Sequence, residues 1–213
     1  MIPVVSFVGD SNTGKTSLVE KVVAELSSRG CKVGTAKFTR CDFDPDTEGK
    51  DTFRHTAAGA FATALVAPRK TALFVPSDPA PTLDEIVYQY FTLADIVIVE
   101  GGKEQECDKI WVKGDGPEPR GFNAEDMIAV ASPSEFEAGV PVFDRNDAKG
   151  ISDFIQNRYL KNVSRSEVRV WIDGKFLPVK PFVKAFIGQT IKGMLSSLKG
   201  GKKGERIHIK IGR

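Results

Sequence analysis

The sequence predicts an α/β protein with a doubly wound, mostly parallel sheet, followed by a small C-terminal α+β module. Three observations support this. Short apolar runs alternate with amphipathic helical patterns over the first 160 residues. The first of those runs ends in a glycine-rich turn that opens a helix. Beyond about residue 164 the pattern changes to hairpin, helix and strand. The expected division is therefore 1–163 and 164–213.

Ile2–Val8 is an apolar run suited to a buried strand, and Gly9 ends it. Gly14–Ser28 reads as a helix, because Val19, Val22, Val23 and Leu26 recur at helical spacing and Gly30 is a natural stop. Lys32–Lys37 is the second strand. Thr39–Asp51 is polar, acidic and broken by Pro45 and Gly49, hence a loop. Thr52–Ala62 is a short helix, and Thr63–Val66 and Thr71–Val75 are short strands. Thr82 and Glu85 stand at capping-box spacing, at the head of a helix reaching about Leu93. Ile96–Val99 has the composition of a central parallel strand, buried on both faces. Lys109–Val112, Ile128–Ala131 and Val140–Phe143 are further strands. Asp147 caps a helix carrying Ile151, Phe154 and Ile155.

In the tail, Val168–Ile172 and Lys175–Val179 flank Asp173-Gly174, a strong hairpin signal. Pro181 opens a helix with Val183, Ile187, Ile191, Met194 and Leu198 on one face, and Gly200 and Gly201 stop it. Arg206–Ile211 alternates polar and apolar residues and reads as a last strand. A unit of about 50 residues is marginal alone, so it is expected to pack on the core or on a second subunit.

Charge divides the chain as the pattern does. Residues 161–213 carry 13 Lys and Arg against Glu167, Asp173 and Glu205, a net +10, whereas the first 160 residues carry −8. Such a module suits an anionic partner or is simply a solvated basic surface. Few aromatics stand ready to stack bases, which disfavours nucleic acid. No apolar run approaches the ~18 residues of a membrane span, and the N-terminus has no signal-peptide pattern. Cys31, Cys41 and Cys107 are odd in number and widely spaced, as expected of free thiols in the cytoplasm. With His55 they offer no zinc-ligand spacing.

Gly9-Asp10-Ser11-Asn12-Thr13-Gly14-Lys15-Thr16, followed by Ser17, matches the P-loop pattern in full. Gly9 and Gly14 permit backbone angles and close approaches that a Cβ would block. The backbone N–H groups of the loop then wrap phosphate oxygens, and the following helix adds the positive end of its dipole. Lys15 supplies a point charge for the β and γ phosphates, and the Thr16 hydroxyl ligates Mg²⁺. Ile96-Val97-Ile98-Val99-Glu100 places a carboxylate at the C-terminal end of a parallel strand, beside the crevice. Glu100 there binds Mg²⁺, orients the attacking water, or is an ordinary strand-end carboxylate. Asp42, in the loop after the second strand, either reaches Mg²⁺ and the reacting water or solvates the loop with Asp44 and Asp46.

Three segments resemble the molybdopterin-guanine dinucleotide biosynthesis protein B family. They are Gly9–Leu18 (GDSNTGKTSL), Lys37–Ala60 (KFTRCDFDPDTEGKDTFRHTAAGA) and Ala94–Lys103 (ADIVIVEGGK), the last followed by Lys109-Ile110. A weaker likeness lies in Pro141–Asp147 (PVFDRND), and together they cover about residues 1–160. The resemblance implies the P-loop NTPase fold. It also implies a cytosolic homodimer that binds GTP with Mg²⁺, hydrolyses it weakly, and assists a guanylyltransferase-type partner enzyme. It places Lys37, Asp42 and Glu100 in signature segments near the site. Phe38, Arg40 and Cys41 stand where the family usually has histidines. No Asn-Lys-x-Asp guanine-reading motif occurs, and Asn146-Asp147 is a substitute unless Asp147 is only a helix cap. An anionic pterin or the acidic face of a partner enzyme suits the basic tail equally well. An ATP-dependent small-molecule kinase, or another P-loop ATPase, is the alternative. A kinase would carry an arginine-rich lid, whereas Arg69 and Arg120 are isolated. No arginine finger is evident within the motifs, so hydrolysis is expected to be slow unless Arg40 or Arg54 supplies one, for example across a dimer.

Overall fold

Six strands form one sheet in the order β2-β5-β1-β6-β7-β8, and every pairing in it is parallel. They are β1 (Val4–Val8), β2 (Val33–Lys37), β5 (Ile96–Glu100), β6 (Asp108–Val112), β7 (Met127–Ser132) and β8 (Val142–Asp144). The computed structural model describes residues 2–39, 46–114, 124–135, 137–161, 168–172, 175–198 and 207. Parallel strands need covering on both faces, and the strand side chains divide accordingly. Val5, Phe7, Ile98, Ile110 and Val112 pack with α1 (Lys15–Ser28) and α4 (Ala148–Ile155), through Leu18, Val22, Leu26, Ile151 and Ile155. Val97 and Val99 face the other way, onto Leu83 and Val87 of α3 (Leu83–Tyr90). The doubly wound α/β expectation is met.

The helix ends follow local chemistry. The Thr82–Glu85 capping box is formed in both directions. Asp147 caps α4 by accepting a 2.8 Å bond from the Gly150 N–H. Two helices are shorter than the sequence suggests. The stretch expected over Thr52–Ala62 is α2 (Asp51–Ala57), because Gly59 takes φ +99° and the chain turns back. The helix expected to reach Leu93 stops at Tyr90, where Phe91 turns into the second cluster. There its ring fills the space beside Gly34, where a Cβ would lie 2.6 Å from Phe91 Cδ1.

The pair expected over Thr63–Val66 and Thr71–Val75 is an antiparallel hairpin, β3 (Thr63–Ala67) and β4 (Lys70–Phe74), outside the six-stranded sheet. Leu65, Val66 and Leu73 on it are exposed. In the tail, β9 (Val170–Ile172) pairs antiparallel with β10 (Lys175–Leu177), and α5 (Pro181–Ser196) begins with Pro181 as anticipated. This hairpin meets the core: the Trp171 and Tyr88 rings lie 5.7 Å apart. Both Cys31 and Cys107 are free thiols. Cys41, the Asp173-Gly174 turn, the 163/164 boundary and nearly all of the expected last strand lie outside the described residues.

Candidate functional site

The crevice outside the carboxyl ends of β1, β2 and β5 brings the phosphate loop together with Lys37 and Glu100. β1 ends at Val8, and Gly9 passes so close to β6 that a Cβ there would sit 2.4 Å from the Val112 carbonyl oxygen. Only glycine fits this approach. Asn12 (φ +62°) and Gly14 (φ +83°) are both left-handed, on either side of Thr13, which is not. Alternating backbone hand turns successive N–H groups into one concavity, an anion cradle. α1 starts directly from it, with Gly14 as its N-cap residue and its first-turn N–H groups available to a ligand. Buried Thr13 braces the loop, its hydroxyl donating to the Asp10 carbonyl at 3.0 Å, and Lys15 Nζ donates to the same carbonyl. Ser11, Asn12 and Ser17 are exposed along the loop and first turn.

Glu100 is placed by register. Residue for residue, β2 and β5 run in parallel so that Lys37 pairs with Glu100, and β1 flanks β5 on its other side. Thr16 Oγ1 donates to Glu100 Oε1 at 2.8 Å, and Lys37 Nζ lies 3.1 Å from the same oxygen. Thr16, Lys37 and Glu100, drawn from three separate parts of the sequence, thus meet at one point. The hydroxyl and carboxylate oxygens are the hard donors that Mg²⁺ prefers, so the residues fit that ion. Asp42, the third expected ligand, lies outside the described residues, as does Arg40. Asp46 acts locally, its Oδ1 accepting bonds from Thr52 Oγ1 (2.8 Å) and from the Thr47 N–H. Arg54 and His55 are exposed on α2, Arg54 4.0 Å from Asp51.

Two cations join the site that the motifs did not single out. Gly101 and Gly102 both adopt positive φ, and a Cβ on Gly101 would lie 2.7 Å from the Phe38 carbonyl. This tight turn, held by the Ser6 hydroxyl donating to the Gly101 carbonyl, delivers Lys103 to the P-loop, 3.3 Å from Asp10 Oδ1. Arg145, in the loop between β8 and α4, donates from Nη1 to the Thr13 carbonyl at 3.0 Å. The signal for Lys103 was its position three residues past Glu100, after two glycines. Arg145 had none beyond its place after the last core strand.

The Lys15 pKa is lowered, first by burial, an effect the Glu100 carboxylate opposes. The Lys103 ammonium adds to the lowering, Asp10 opposes it, and Lys37 lowers it again. Three ammonium groups thus crowd around two carboxylates, an arrangement that an incoming polyanion relieves. Among the described residues no cluster of three or more His, Cys, Asp or Glu could hold a metal by protein ligands alone. No helix among them is long and apolar enough to cross a membrane.

A parallel sheet with a glycine loop at its switch point and a hydroxyl-carboxylate pair beside it defines a P-loop NTPase-like α/β protein. The comparisons with known proteins narrow this. A profile of the family described as molybdopterin guanine dinucleotide synthesis protein B matches residues 4–133. The molybdopterin-guanine dinucleotide biosynthesis adapter protein of Escherichia coli is 34% identical over 167 residues, 73% of this chain and 92% of that protein. A putative adapter protein of the same description from Methanocaldococcus jannaschii is 28% identical and covers 98% of this chain and 97% of its own length. The crystal structure of Bacillus subtilis MobB superposes with a TM-score of 0.63 at 25% identity, covering 75% of this chain and 99% of that one. The chain belongs to the MobB family.

Proposed function

We propose that this protein is a GTP-binding adapter in the biosynthesis of the molybdopterin guanine dinucleotide form of the molybdenum cofactor, with weak Mg²⁺-dependent GTP hydrolysis. The role follows the names of its relatives. The nucleotide site rests on one observation above all, the 2.8 Å contact between Thr16 of the P-loop and Glu100 at the end of β5. It joins the two halves of a metal-nucleotide site that 84 residues of sequence separate. Gly9, Ser11, Asn12, Thr13 and Gly14 cradle the phosphates, Ser17 adds a hydroxyl in the first turn, and Lys15 meets the β and γ oxygens. Thr16 and Glu100 hold Mg²⁺, with Asp42 as a further ligand, and the ion when bound neutralises phosphate charge. Lys37 and Lys103 exchange their carboxylate partners for the terminal phosphate. Glu100 and Asp42 are the carboxylates that orient water. Hydrolysis is slow in this reading, because Glu100 is committed to Thr16 and the ion and no arginine finger is evident within the motifs.

The adapter role requires a partner, a guanylyltransferase-type enzyme in the cytoplasm, and an anionic pterin remains a ligand compatible with the basic tail. The exposed apolar residues of the β3–β4 hairpin support a homodimer. The test is calorimetric titration with non-hydrolysable GTP and ATP analogues and Mg²⁺, on wild type and Lys15→Ala. GTP binding that is lost in the variant, with ATP weaker, supports the proposal. Stronger ATP binding moves the function to an ATP-dependent enzyme. Absence of binding by the wild type defeats the nucleotide site altogether.

A further inference from the structure

We infer that the cleft between the start of α1 and the loop joining β8 to α4 takes the nucleoside half of the nucleotide, and that Arg145 selects guanine there. This rests on the nucleotide reading above and adds its missing base-recognition site. The P-loop has two flanks. One faces Thr16, Lys37 and Glu100, where the metal and the terminal phosphates belong. A phosphate chain lying through the loop must leave on the other flank. There, Asn12, Gly14, Ser17 and Lys21 face Arg145 and Asn146 across an open cleft. Only Leu18 makes its lining apolar in part.

The loop after β8 is built to present these two side chains. Asp147 does not line the cleft; its Oδ1 accepts from the Gly150 N–H as the cap of α4. Asn146 is held by its backbone on both sides: its N–H donates to Asp144 Oδ1 at 2.6 Å, and its carbonyl accepts from the Ala148 N–H at 3.0 Å. Its side chain is exposed in the cleft. Arg145 lies across Gly14, its Cδ and Nε 3.9 Å from where a Cβ would stand, and is pinned by the bond to the Thr13 carbonyl. A pinned guanidinium keeps its other N–H groups at a fixed place with little entropy left to lose.

The chemistry of the lining favours one purine. Arg145 and Lys21 can only donate, and no carboxylate lines the cleft. Guanine presents two acceptors, O6 and N7, on one edge, which arginine matches with two donors. Adenine puts an amino group at the same position and so meets donor with donor. Asn146, both donor and acceptor, suits either base.

The experiment compares three probes with Mg²⁺ present: a non-hydrolysable GTP analogue, the ATP analogue and inorganic tripolyphosphate. They are titrated into wild type, Arg145→Met, Asn146→Ala and Lys15→Ala. Arg145→Met should cut the GTP-over-ATP preference by about tenfold, the usual worth of a paired donor contact to a base. Asn146→Ala, at an exposed position that leaves the fold alone, should weaken both nucleotides by about three- to tenfold and leave tripolyphosphate unchanged. If both variants shift all three probes by one common factor, or leave the nucleotides untouched, the cleft is not the nucleoside site. A wild type that binds none of the probes, or a Lys15→Ala protein that binds them as wild type does, defeats the underlying phosphate reading instead.

Discussion

Replacing Lys109 by methionine tests how the sheet is held beneath the phosphate loop. Lys109 is 1% exposed on β6, the strand that flanks β1. Its ammonium donates to the Gln105 carbonyl (2.7 Å), the Cys107 carbonyl (3.0 Å) and Asp126 Oδ2 (2.9 Å). Methionine keeps the apolar stem and its burial but removes all three donors. The Asp126 side chain is 34% exposed and rehydrates in part, whereas the two carbonyls lose a charged donor. The net loss should be about 2–4 kcal/mol, between the cost of one unsatisfied buried acceptor and that of a broken buried ion pair. Urea unfolding followed by circular dichroism reads it. With a slope of about 2 kcal/mol per molar urea, the midpoint should fall by about 1–2 M. Adding Asp126→Asn should return part of the loss. A midpoint within about 0.3 M of wild type would show that the ammonium is not holding the turn at Gln105–Cys107 to the sheet.

Three further outcomes are expected. Glu100→Gln should weaken Mg²⁺-dependent GTP-analogue binding by about tenfold or more while leaving metal-free binding nearly unchanged, measured by calorimetry with and without a chelator. Val66→Lys on the exposed β3–β4 hairpin should shift a dimer toward monomer in sedimentation velocity, and an unchanged mass would remove the hairpin from the interface. Burial pushes the Cys107 thiol up to about 11, with the Lys109 ammonium opposing. Its proton leaves the unfolded chain first, so the stability it contributes is full below its unfolded pKa and is lost as pH rises toward 11. Iodoacetamide labelling followed by mass spectrometry should therefore leave Cys107 unmodified at pH 8, and rapid labelling there would contradict its burial.

The phosphate loop and Glu100 were legible because each is a local pattern with a fixed consequence. A run of four apolar residues reads as a parallel strand ending at the crevice, and the Lys37–Glu100 register then sets the carboxylate beside Thr16. Lys103 and Arg145 were not legible, because what places them is tertiary. Lys103 depends on two left-handed glycines folding back under Phe38, and Arg145 on β8 lying at the far edge of the sheet. The early ends of α2 and α3 had a similar origin. Apolar spacing continues past Ala57 and Tyr90, but Gly59 turns the chain at one and the space beside Gly34 draws Phe91 inward at the other. Both strands of the β3–β4 hairpin were legible, but not their place outside the six-stranded sheet, where only Thr63 of β3 is buried.

One tryptophan lies in the central sheet and the other in the tail hairpin, and that gives the protein two optical channels. Trp111 is 4% exposed in β6, one residue before the carbonyl that presses on Gly9, with the Lys113 ammonium 5.9 Å from its ring centroid. Trp171 sits in the tail hairpin, in ring contact with Tyr88 of α3. Emission from the first is shielded from dissolved quenchers and sensitive to strain at the phosphate loop. Emission from the second reports the contact between the tail hairpin and α3. With one indole silenced at a time, filling of the loop and docking of the tail become separate signals from the same unlabelled chain.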